Sequence, residues 1–519
     1  MPTVLWIDDE IDLLKPHVLF LQSKGYTVET AHSGADGLER VRQSRPDLVL
    51  LDEQMPGMNG LDVLAELGRS APEVPVVMVT KSEEEHLMEE AIGGQIADYL
   101  TKPVNPSQVL MTAKRVLDRA RIEGEQAQRQ YLQSFPELAS RLSAAETPDD
   151  WYELYNDLIA FDRRLDAEEG VRQVLDDQMR EANKEFARYV ERRYARWLED
   201  AGPSDERPLL SHEVVAHSVV PLLREPNAKP VVFFVIDCMR LDQWQEMETL
   251  LRPHFDVERA MHVSILPTAT PYSRNAIFAG MLPRDIAHRY PGRWSDDDDD
   301  TSKNRHEETF LTDQLQRRHL GHLRVRYDKV VSSKDGRDFG SSAADLVQHD
   351  LAAVVVNFVD ILAHSRSDSP VLREIAPDER AYRALTRTWF EHSWLLQAFQ
   401  TLSRLDCTIV VTTDHGAIRC LHPTKVIGDR ETSTALRYKH GRAIKADEKD
   451  AVVVKDPEAF GLPRQTINEN YLLAKEDHYF VYPTSYHHYV NLYRDTMQHG
   501  GISMEEMLLP LMTLRPKKG

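Results

Sequence analysis

The chain has 519 residues, which is too long for one ordinary domain and predicts about three units. Its formal net charge of −21 at pH 7 gives a surface that repels duplex phosphate backbones, so binding to duplex DNA is not expected. The three cysteines form no CxxC pair, the N-terminal residues lack a signal-peptide pattern and no apolar stretch approaches the ~20 residues that span a bilayer, so we expect a cytoplasmic protein.

Residues 1–120 alternate short apolar runs with amphipathic stretches, as βα repeats do. The predicted strands are TVLWID (3–8), TVET (27–30), DLVLLD (47–52), VPVVMVT (74–80) and ADYLTKP (97–103). This order predicts a doubly wound, flavodoxin-like domain with its ligands at the carboxyl ends of the strands.

Residues 121–206 have a different texture, with few glycines, dense charge and aromatic residues at helical spacing. The segment 181–200 is one long amphipathic helix by this pattern. We expect a helical bundle that connects two domains, with its aromatic residues used for packing.

Residues 207–519 contain buried-strand candidates at 229–240, 351–360 and 407–416. Continuous apolar runs of this kind are typical of parallel strands buried on both faces. Each run leads into an aspartate, so we expect a large α/β domain with carboxylates at one edge of its sheet.

The first candidate site lies in residues 1–120. Asp8, Asp9 and Asp52 end predicted strands, and Thr80 and Lys102 end two more. Three carboxylates at one edge suit Mg²⁺, which prefers oxygen ligands, and the cation would let a phosphoryl group approach a carboxylate. Asp52 is then the nucleophile, with Lys102 and the Thr80 hydroxyl contacting the phosphoryl group.

These residues, with the MPGMNG that follows Asp52 and the pair Lys102–Pro103, resemble the response-regulator receiver family. The resemblance implies phosphorylation of Asp52 by a sensor histidine kinase or a small phosphodonor. It also implies that Tyr99 is the switch aromatic that couples to Thr80. The alternative is a purely structural flavodoxin-like domain with chance acidic strand ends.

The second candidate site combines aspartates, histidines and a nucleophile in the C-terminal half. Its ligand candidates are Asp237, Asp360, His364, Asp414, His415 and His499. Mixed imidazole and carboxylate sets favour Zn²⁺ or Mn²⁺ over Mg²⁺. Thr270 precedes Pro271, which suits the first residue of a helix, and the N-terminus of that helix would attract an anionic substrate. Thr268 also carries a hydroxyl and is the alternative nucleophile.

The order of Thr270, Gly280, Pro283 and His288, with the closing HGGISMEEMLLP, resembles the alkaline phosphatase superfamily. The strand VVFFVIDCMRLDQW is similar to its PglZ subgroup. The resemblance implies two zinc ions bridged by Thr270. It assigns one ion to Asp360, His364 and His499, and the other to Asp237, Asp414 and His415.

The pairing of a receiver with a PglZ domain resembles response regulators of the bacterial type IX secretion system. That resemblance implies a PorY-like sensor histidine kinase, contacts with the secretion motor protein PorL and contacts with a sigma factor. The expected function is a zinc-dependent phosphodiesterase that acts on nucleotides or short oligonucleotides and forms a homodimer on phosphorylation. The alternative is a non-enzymatic, metal-stabilised adaptor.

Overall fold

The computed structural model describes residues 2–71, 74–80, 96–165, 169–200, 202–294, 304–428, 435–464, 466 and 468–517. The chain divides into two compact units, Met1–Gln133 with Arg164–Ala167, and Ser134–Arg163 with Glu168–Gly519. The residues expected to form a helical connector, 121–206, are therefore divided between the two units.

The N-terminal unit is built on a parallel five-stranded sheet. Its strands are β1 (Thr3–Ile7), β2 (Thr27–Ala31), β3 (Leu48–Asp52), β4 (Val76–Thr80) and β5 (Asp98–Thr101). Its helices are α1 (Lys15–Ser23), α2 (Gly34–Ser44) and α3 (Gly60–Ser70), and the 39-residue α4 (Pro106–Ala144) starts here. The strand order is β2-β1-β3-β4-β5, which confirms the predicted flavodoxin-like fold.

The segment after Asp52 is shaped by two residues of the MPGMNG sequence. The Asn59 side chain caps α3 by accepting from the backbone N–H of Asp62 at 2.8 Å. At Gly60 a Cβ atom would lie 2.3 Å from the backbone oxygen of Asp52, so only glycine lets α3 begin this close to the strand end.

The C-terminal unit contains a mixed six-stranded sheet and three smaller sheets. Its strands are β6 (Val231–Ile236), β7 (Phe255–Val263), β8 (Val325–Val330), β9 (Leu351–Val356), β10 (Thr408–Thr412), β11 (Ile418–Cys420), β12 (His422–Lys425), β13 (Tyr438–Arg442), β14 (Ala451–Val454), β15 (Glu469–Ala474), β16 (His478–Val481), β17 (Thr496–Gln498) and β18 (Leu508–Pro516). The main sheet has the order β7-β18-β10-β6-β9-β8. The small sheets pair β11 with β17, β12 with β16, and β15 with β13 and β14.

Helices surround this sheet. They are α5 (Pro148–Arg164), α6 (Glu169–Glu199), α7 (Val220–Leu223), α8 (Leu241–Leu251), α9 (Thr270–Ala279), α10 (Pro283–Arg289), α11 (Glu307–Arg317), α12 (Ser333–Ser341), α13 (Phe358–Asp368), α14 (Pro370–Ile375), α15 (Glu379–Glu391), α16 (Trp394–Leu402), α17 (Tyr486–Tyr493) and α18 (Met504–Met507). Short turns of 3₁₀ or π-helix lie at Ile11–Leu14, Ser211–Glu213, Val215–Val219, Ala343–Gln348 and Glu458–Phe460.

The predicted long helix at 181–200 corresponds to the second half of α6, which ends at Glu199, and its aromatic residues pack as expected. The ring of Trp151 on α5 contacts Phe186, with centroids 5.2 Å apart, and Tyr189 contacts Trp197 at 5.4 Å. All four side chains are buried. The aromatic residues of these two helices therefore form a packed core, which contributes to stability through apolar burial.

One edge of the main sheet collects the chain segments that carry the predicted metal ligands. Strands β6, β9 and β10 are parallel and fully buried, as their apolar runs predict. Strand β18 is antiparallel to both β10 and β7, so β7 ends and β18 begins at this same edge. The segments after β6, β7, β9 and β10, and the segment before β18, therefore converge there.

The prediction that the run 351–360 is one strand ending in an aspartate is wrong in its second half. The strand β9 ends at Val356, and Asp360 lies in the first turn of α13. The helix begins because Asn357 leaves the extended conformation, with φ −89° and ψ 5°. Asp360 and His364 are thus four residues apart on one helix, which places them on the same helix face.

Candidate phosphoacceptor and metal sites

The predicted receiver site brings its acidic residues and its lysine together. Carboxylate oxygens of Asp8, Asp9 and Asp52 lie within 4.8 Å of one another. The Lys102 ammonium lies 2.8 Å from Asp52 Oδ1 and 3.0 Å from Asp8 Oδ2. Burial raises the pKa of Asp52, and Lys102 opposes that rise. Three carboxylates facing one lysine fit an additional cation with oxygen ligands.

The predicted switch residues Thr80 and Tyr99 lie on β4 and β5, the two strands that follow β3 in the sheet order. The Thr80 hydroxyl donates to Glu53 Oε2 at 2.7 Å. Tyr99 lies on β5 and 44% of its surface is exposed. The sequence reasoning did not include Glu53, which directly follows Asp52 and holds the hydroxyl expected to meet a phosphoryl group.

The ligand candidates of the C-terminal unit form two adjacent groups. The outer group consists of Asp360, His364 and His499, and the inner group consists of Asp237, Asp414 and His415. Within each group the candidate ligand atoms lie within 4.8 Å of one another. The rings of His415 and His499 stack with centroids 4.2 Å apart, which joins the two groups. Two neighbouring sets of three oxygen and nitrogen ligands are an arrangement suited to a two-metal site.

Thr270 lies at the inner group. It is the first residue of α9, and its hydroxyl oxygen lies 2.9 Å from His415 Nε2 and 3.5 Å from Asp237 Oδ1. Pro271, expected as the first helical residue, is the second, a difference within the usual uncertainty of helix ends. The helix ends at Gly280, which adopts the left-handed conformation with φ 59°.

Thr268, the alternative nucleophile, has its hydroxyl engaged elsewhere. It donates to the backbone oxygen of Gly501 at 2.8 Å and accepts from the backbone N–H of Gly500 at 3.0 Å. Thr268 therefore ties the segment before α9 to the loop that follows His499.

The inner group holds more buried negative charge than its neighbours balance. Burial raises the pKa of both Asp237 and Asp414, although the buried Arg274 guanidinium contacts Asp237 and opposes the rise. Arg274 also pairs with Glu307 at 2.5 Å. Among the described residues, Asp414 Oδ2 is buried without a hydrogen-bond partner. A buried carboxylate oxygen of this kind is costly unless a cation meets it, so the donor set fits a metal ion.

Neighbouring groups orient the inner ligands. The Nδ1 atom of His415 lies 3.1 Å from the carbonyl oxygen of Gly416, so Nδ1 carries the proton and the Nε2 lone pair faces the group. The amide of Asn357 donates to Asp237 Oδ2 at 3.0 Å. Burial lowers the pKa of His415, which favours the neutral imidazole that binds metals.

The loop after His499 depends on its two glycines and on Glu506. Gly500 has φ +118°, and a Cβ atom on Gly501 would lie 2.4 Å from the backbone oxygen of Ala474. Glu506 Oε1 accepts from the backbone N–H of Gly501 at 2.9 Å, and Glu506 Oε2 accepts from Arg437 at 2.6 Å. Glu506 of the closing sequence motif thus supports the loop from within the protein.

Three buried arginines of the C-terminal unit are engaged with carboxylates. Besides Arg274, Arg240 is buried against Asp242 at 2.6 Å, and Arg437 is buried against Glu506. The sequence analysis assigned no role to Glu307, Asn357 or Glu506, although Glu506 lies in the closing motif HGGISMEEMLLP.

We expect Arg437→Met to lower the free energy of unfolding of the C-terminal unit by about 3–5 kcal/mol, because it leaves the buried Glu506 carboxylate uncompensated. Six of the seven tryptophans follow residue 133, so urea unfolding monitored by tryptophan fluorescence reports on this unit. Arg442→Met is the matched control at an exposed position nearby, with an expected change within about 0.5 kcal/mol. Equal stabilities of the two variants would contradict the role of the pair.

Three family models match successive parts of the chain. The response regulator receiver domain matches residues 4–114, the PorX response regulator linker domain matches 121–198, and the BREX system PglZ alkaline phosphatase-like domain matches 214–514. The last match covers more than half of the chain. The chain therefore belongs to the PglZ alkaline phosphatase-like family, in the fusion with a receiver and a linker that is typical of PorX response regulators. The resemblance predicted from the motifs is confirmed.

The curated relatives match the receiver. The chain is 36% identical over 120 residues to the probable transcriptional regulatory protein TcrX of Mycobacterium tuberculosis, a match that covers 22% of this chain and 50% of TcrX. It is 31% identical over 121 residues to the regulatory protein PhoP of Bacillus subtilis, over 23% of this chain and 50% of PhoP. It is 34% identical to the protein PilH of Pseudomonas aeruginosa, over 22% of this chain and 98% of PilH. The chain thus spans about half the length of TcrX and PhoP. The transcriptional regulation given in their names is a property of those two proteins.

Among solved structures, the chemotaxis protein CheY4 of Vibrio cholerae is 32% identical, covers 22% of this chain and 98% of its own, and has a TM-score of 0.21. The receiver domain of NtrX from Brucella abortus is 29% identical, with coverage of 22% and 98% and a TM-score of 0.21. Within the part of the chain that the structure describes, no helix is both long and apolar enough to cross a membrane.

Proposed function

We propose that this protein is a two-component response regulator whose C-terminal unit is a zinc-dependent phosphodiesterase. The proposal depends most on the Thr270 hydroxyl, which lies 2.9 Å from His415 Nε2 at the start of a helix and beside two sets of metal ligands. The match to the PglZ alkaline phosphatase-like family supports phosphoester chemistry. Thr270 is the candidate nucleophile for that chemistry, and the outer and inner groups are the candidate metal ligands.

Thr270 is the proposed nucleophile: its oxygen forms the bond to phosphorus while the ester oxygen leaves and takes up a proton in place of the one lost by Thr270. Water then cleaves the bond between Thr270 and phosphorus and restores the hydroxyl group. Two zinc ions, held by the outer and inner groups, would offset the buried carboxylates and stabilise charge on the phosphoryl oxygens. The backbone N–H groups at the start of α9 face the same place and favour an anionic substrate. The His415 ring is held by Gly416 with its Nε2 lone pair facing the Thr270 hydroxyl.

The proposed substrate is a nucleotide or a short oligonucleotide. A net charge of −21 opposes binding of long duplexes, since the phosphate backbone must approach a negative surface. A small phosphodiester avoids most of that repulsion because it meets only the ligand groups and the helix N-terminus.

The zinc requirement is tested with bis-p-nitrophenyl phosphate. We expect turnover that falls by about 10²-fold or more after chelator treatment and dialysis, and that returns on addition of zinc, because the metal ions would supply the positive charge that offsets the ligand carboxylates and the phosphodiester. The mono-ester p-nitrophenyl phosphate is the matched substrate that separates diesterase from monoesterase activity. Turnover that survives removal of all metal would contradict the proposal.

We propose that Asp52 accepts a phosphoryl group from a PorY-like sensor histidine kinase, with Mg²⁺ held by Asp8, Asp9 and Asp52. The Thr80 hydroxyl then leaves Glu53 for the phosphoryl group, and Tyr99 moves with it, which promotes a homodimer. The kinase partner and the reducing environment suggested by three unpaired cysteines support a cytoplasmic location.

The alternative function is an adaptor in the type IX secretion system that binds a sigma factor and the motor protein PorL. The match of residues 121–198 to the PorX linker domain supports this possibility. The same assay separates the two functions, because an adaptor would show no turnover at saturating zinc and would retain partner binding.

A further inference from the structure

Helix α6 contacts the short helix α18, beside the metal sites, through the side chain of Asn183. This residue is 5% exposed and lies in the middle of the helix. Its Oδ1 accepts from the backbone N–H of Met504 at 2.8 Å, and its Nδ2 donates to the Glu505 carboxylate at 3.0 and 3.2 Å. Asn183 thereby satisfies one of the donors that the first turn of α18 leaves unpaired.

The short helix α18 contacts the loops of both metal groups. The carbonyl oxygen of Glu506 accepts from the backbone N–H of Gly416, the residue after His415, at 3.2 Å. The Glu506 carboxylate accepts from Gly501, which follows His499 by two positions. A displacement of α18 would therefore move a ligand of the inner group and a ligand of the outer group together.

The contact between α18 and Gly416 leaves no room for adjustment. A Cβ atom on Gly416 would lie 2.0 Å from the backbone oxygen of Glu505. Because the two backbones are in contact, α18 and the loop that carries His415 are expected to move together. A side chain that fixes the position of α18 therefore also fixes the position of His415.

We propose that Asn183 is a positioning residue through which the linker helix α6 sets the geometry of both metal groups. The proposal rests on the proposed zinc site, and it extends that site to a residue of the segment matched by the linker family. Asn183 touches neither ligand group directly. Its effect passes through the Met504 N–H and the Glu505 carboxylate to α18, and from α18 to His415 and His499.

The test is zinc affinity, measured on the full chain by competition with a chromophoric chelator at pH 8. Asn183→Leu removes the hydrogen bonds to Met504 and Glu505 at similar side-chain volume, and we expect zinc binding to weaken by about 10-fold or more. Gln178→Leu is the matched control, because Gln178 is another buried amide of α6 and donates to Phe135 O. Its zinc affinity should equal that of the unchanged protein.

Exchanging the amide of Asn183 and the carboxylate of Glu505 between the two positions separates an effect on positioning from a loss of stability. Asn183→Asp alone removes the amide that donates to Glu505 and places a second carboxyl group against it, so zinc binding should weaken. Combining Asn183→Asp with Glu505→Gln restores an amide–carboxylate pair, and zinc affinity should return to within about threefold of the original.

The outcomes are distinct from those of the activity assay, since zinc binding needs no substrate. Weaker zinc binding in both Asn183 variants, with recovery on exchange and no change in Gln178→Leu, supports the proposal. Native zinc affinity in Asn183→Leu, or equal losses in Asn183→Leu and Gln178→Leu, overturns it. A protein that binds zinc normally and hydrolyses no ester would instead refute the phosphodiesterase.

Discussion

Replacing Thr270 with valine is expected to lower turnover of a phosphodiester by about 10³-fold or more, because the variant keeps the side-chain shape but removes the attacking oxygen. The ligand candidates Asp237, Asp414 and His415 remain in place, so zinc content should fall far less than activity. Steady-state rates with bis-p-nitrophenyl phosphate, together with zinc determination on the same samples, measure both quantities.

Two control variants sharpen this test. Thr270→Ser keeps a hydroxyl and should retain activity within about 10-fold. Thr268→Val removes the hydroxyl that bonds Gly500 and Gly501, so it should loosen the His499 loop and cost less than Thr270→Val. Full activity in Thr270→Val, or a greater loss in Thr268→Val, would show that the nucleophile has been assigned to the wrong threonine.

The convergence of the candidate ligands was predictable because parallel strands share an edge. Asp237 and Asp414 follow buried runs of apolar residues, and the geometry of an α/β sheet brings such positions together. Asp360 shows where that reasoning fails, since its strand stops at Val356 and a helix supplies the ligand. Asp360 and His364 lie on one face of that helix, because four residues make about one helical turn.

The supporting residues were not predictable from the sequence. Asn183 and Glu505 lie 322 positions apart, and no local pattern relates an amide in a linker helix to a carboxylate near the C-terminus. Glu53 was equally hidden, because its contact with Thr80 depends on how two neighbouring strands end. Such contacts are set by tertiary packing, whereas strand and ligand positions are set by local periodicity.

Asp52→Asn is expected to abolish both phosphoryl labelling by acetyl phosphate and the change in oligomeric state caused by beryllofluoride with Mg²⁺. The amide cannot form an acyl phosphate, and it removes one of the three carboxylates that face the cation. Analytical ultracentrifugation of the full chain, with and without beryllofluoride, measures dimerisation, and mass spectrometry measures labelling. Asp47→Asn is the matched control, since Asp47 is exposed just before the same strand and should behave as the unchanged protein.

The Thr80–Glu53 hydrogen bond gives the switch a second test. Glu53 holds the Thr80 hydroxyl at 2.7 Å, so the phosphoryl group must compete with Glu53 for that hydroxyl. Glu53→Ala removes the competitor and should allow dimerisation at a lower degree of Asp52 modification, by about 5-fold or more if the bond contributes about 1 kcal/mol. A protein that is demonstrably modified on Asp52 and keeps its oligomeric state would contradict the switch. Modification of Asp52 would then stabilise neither of the two receiver conformations relative to the other.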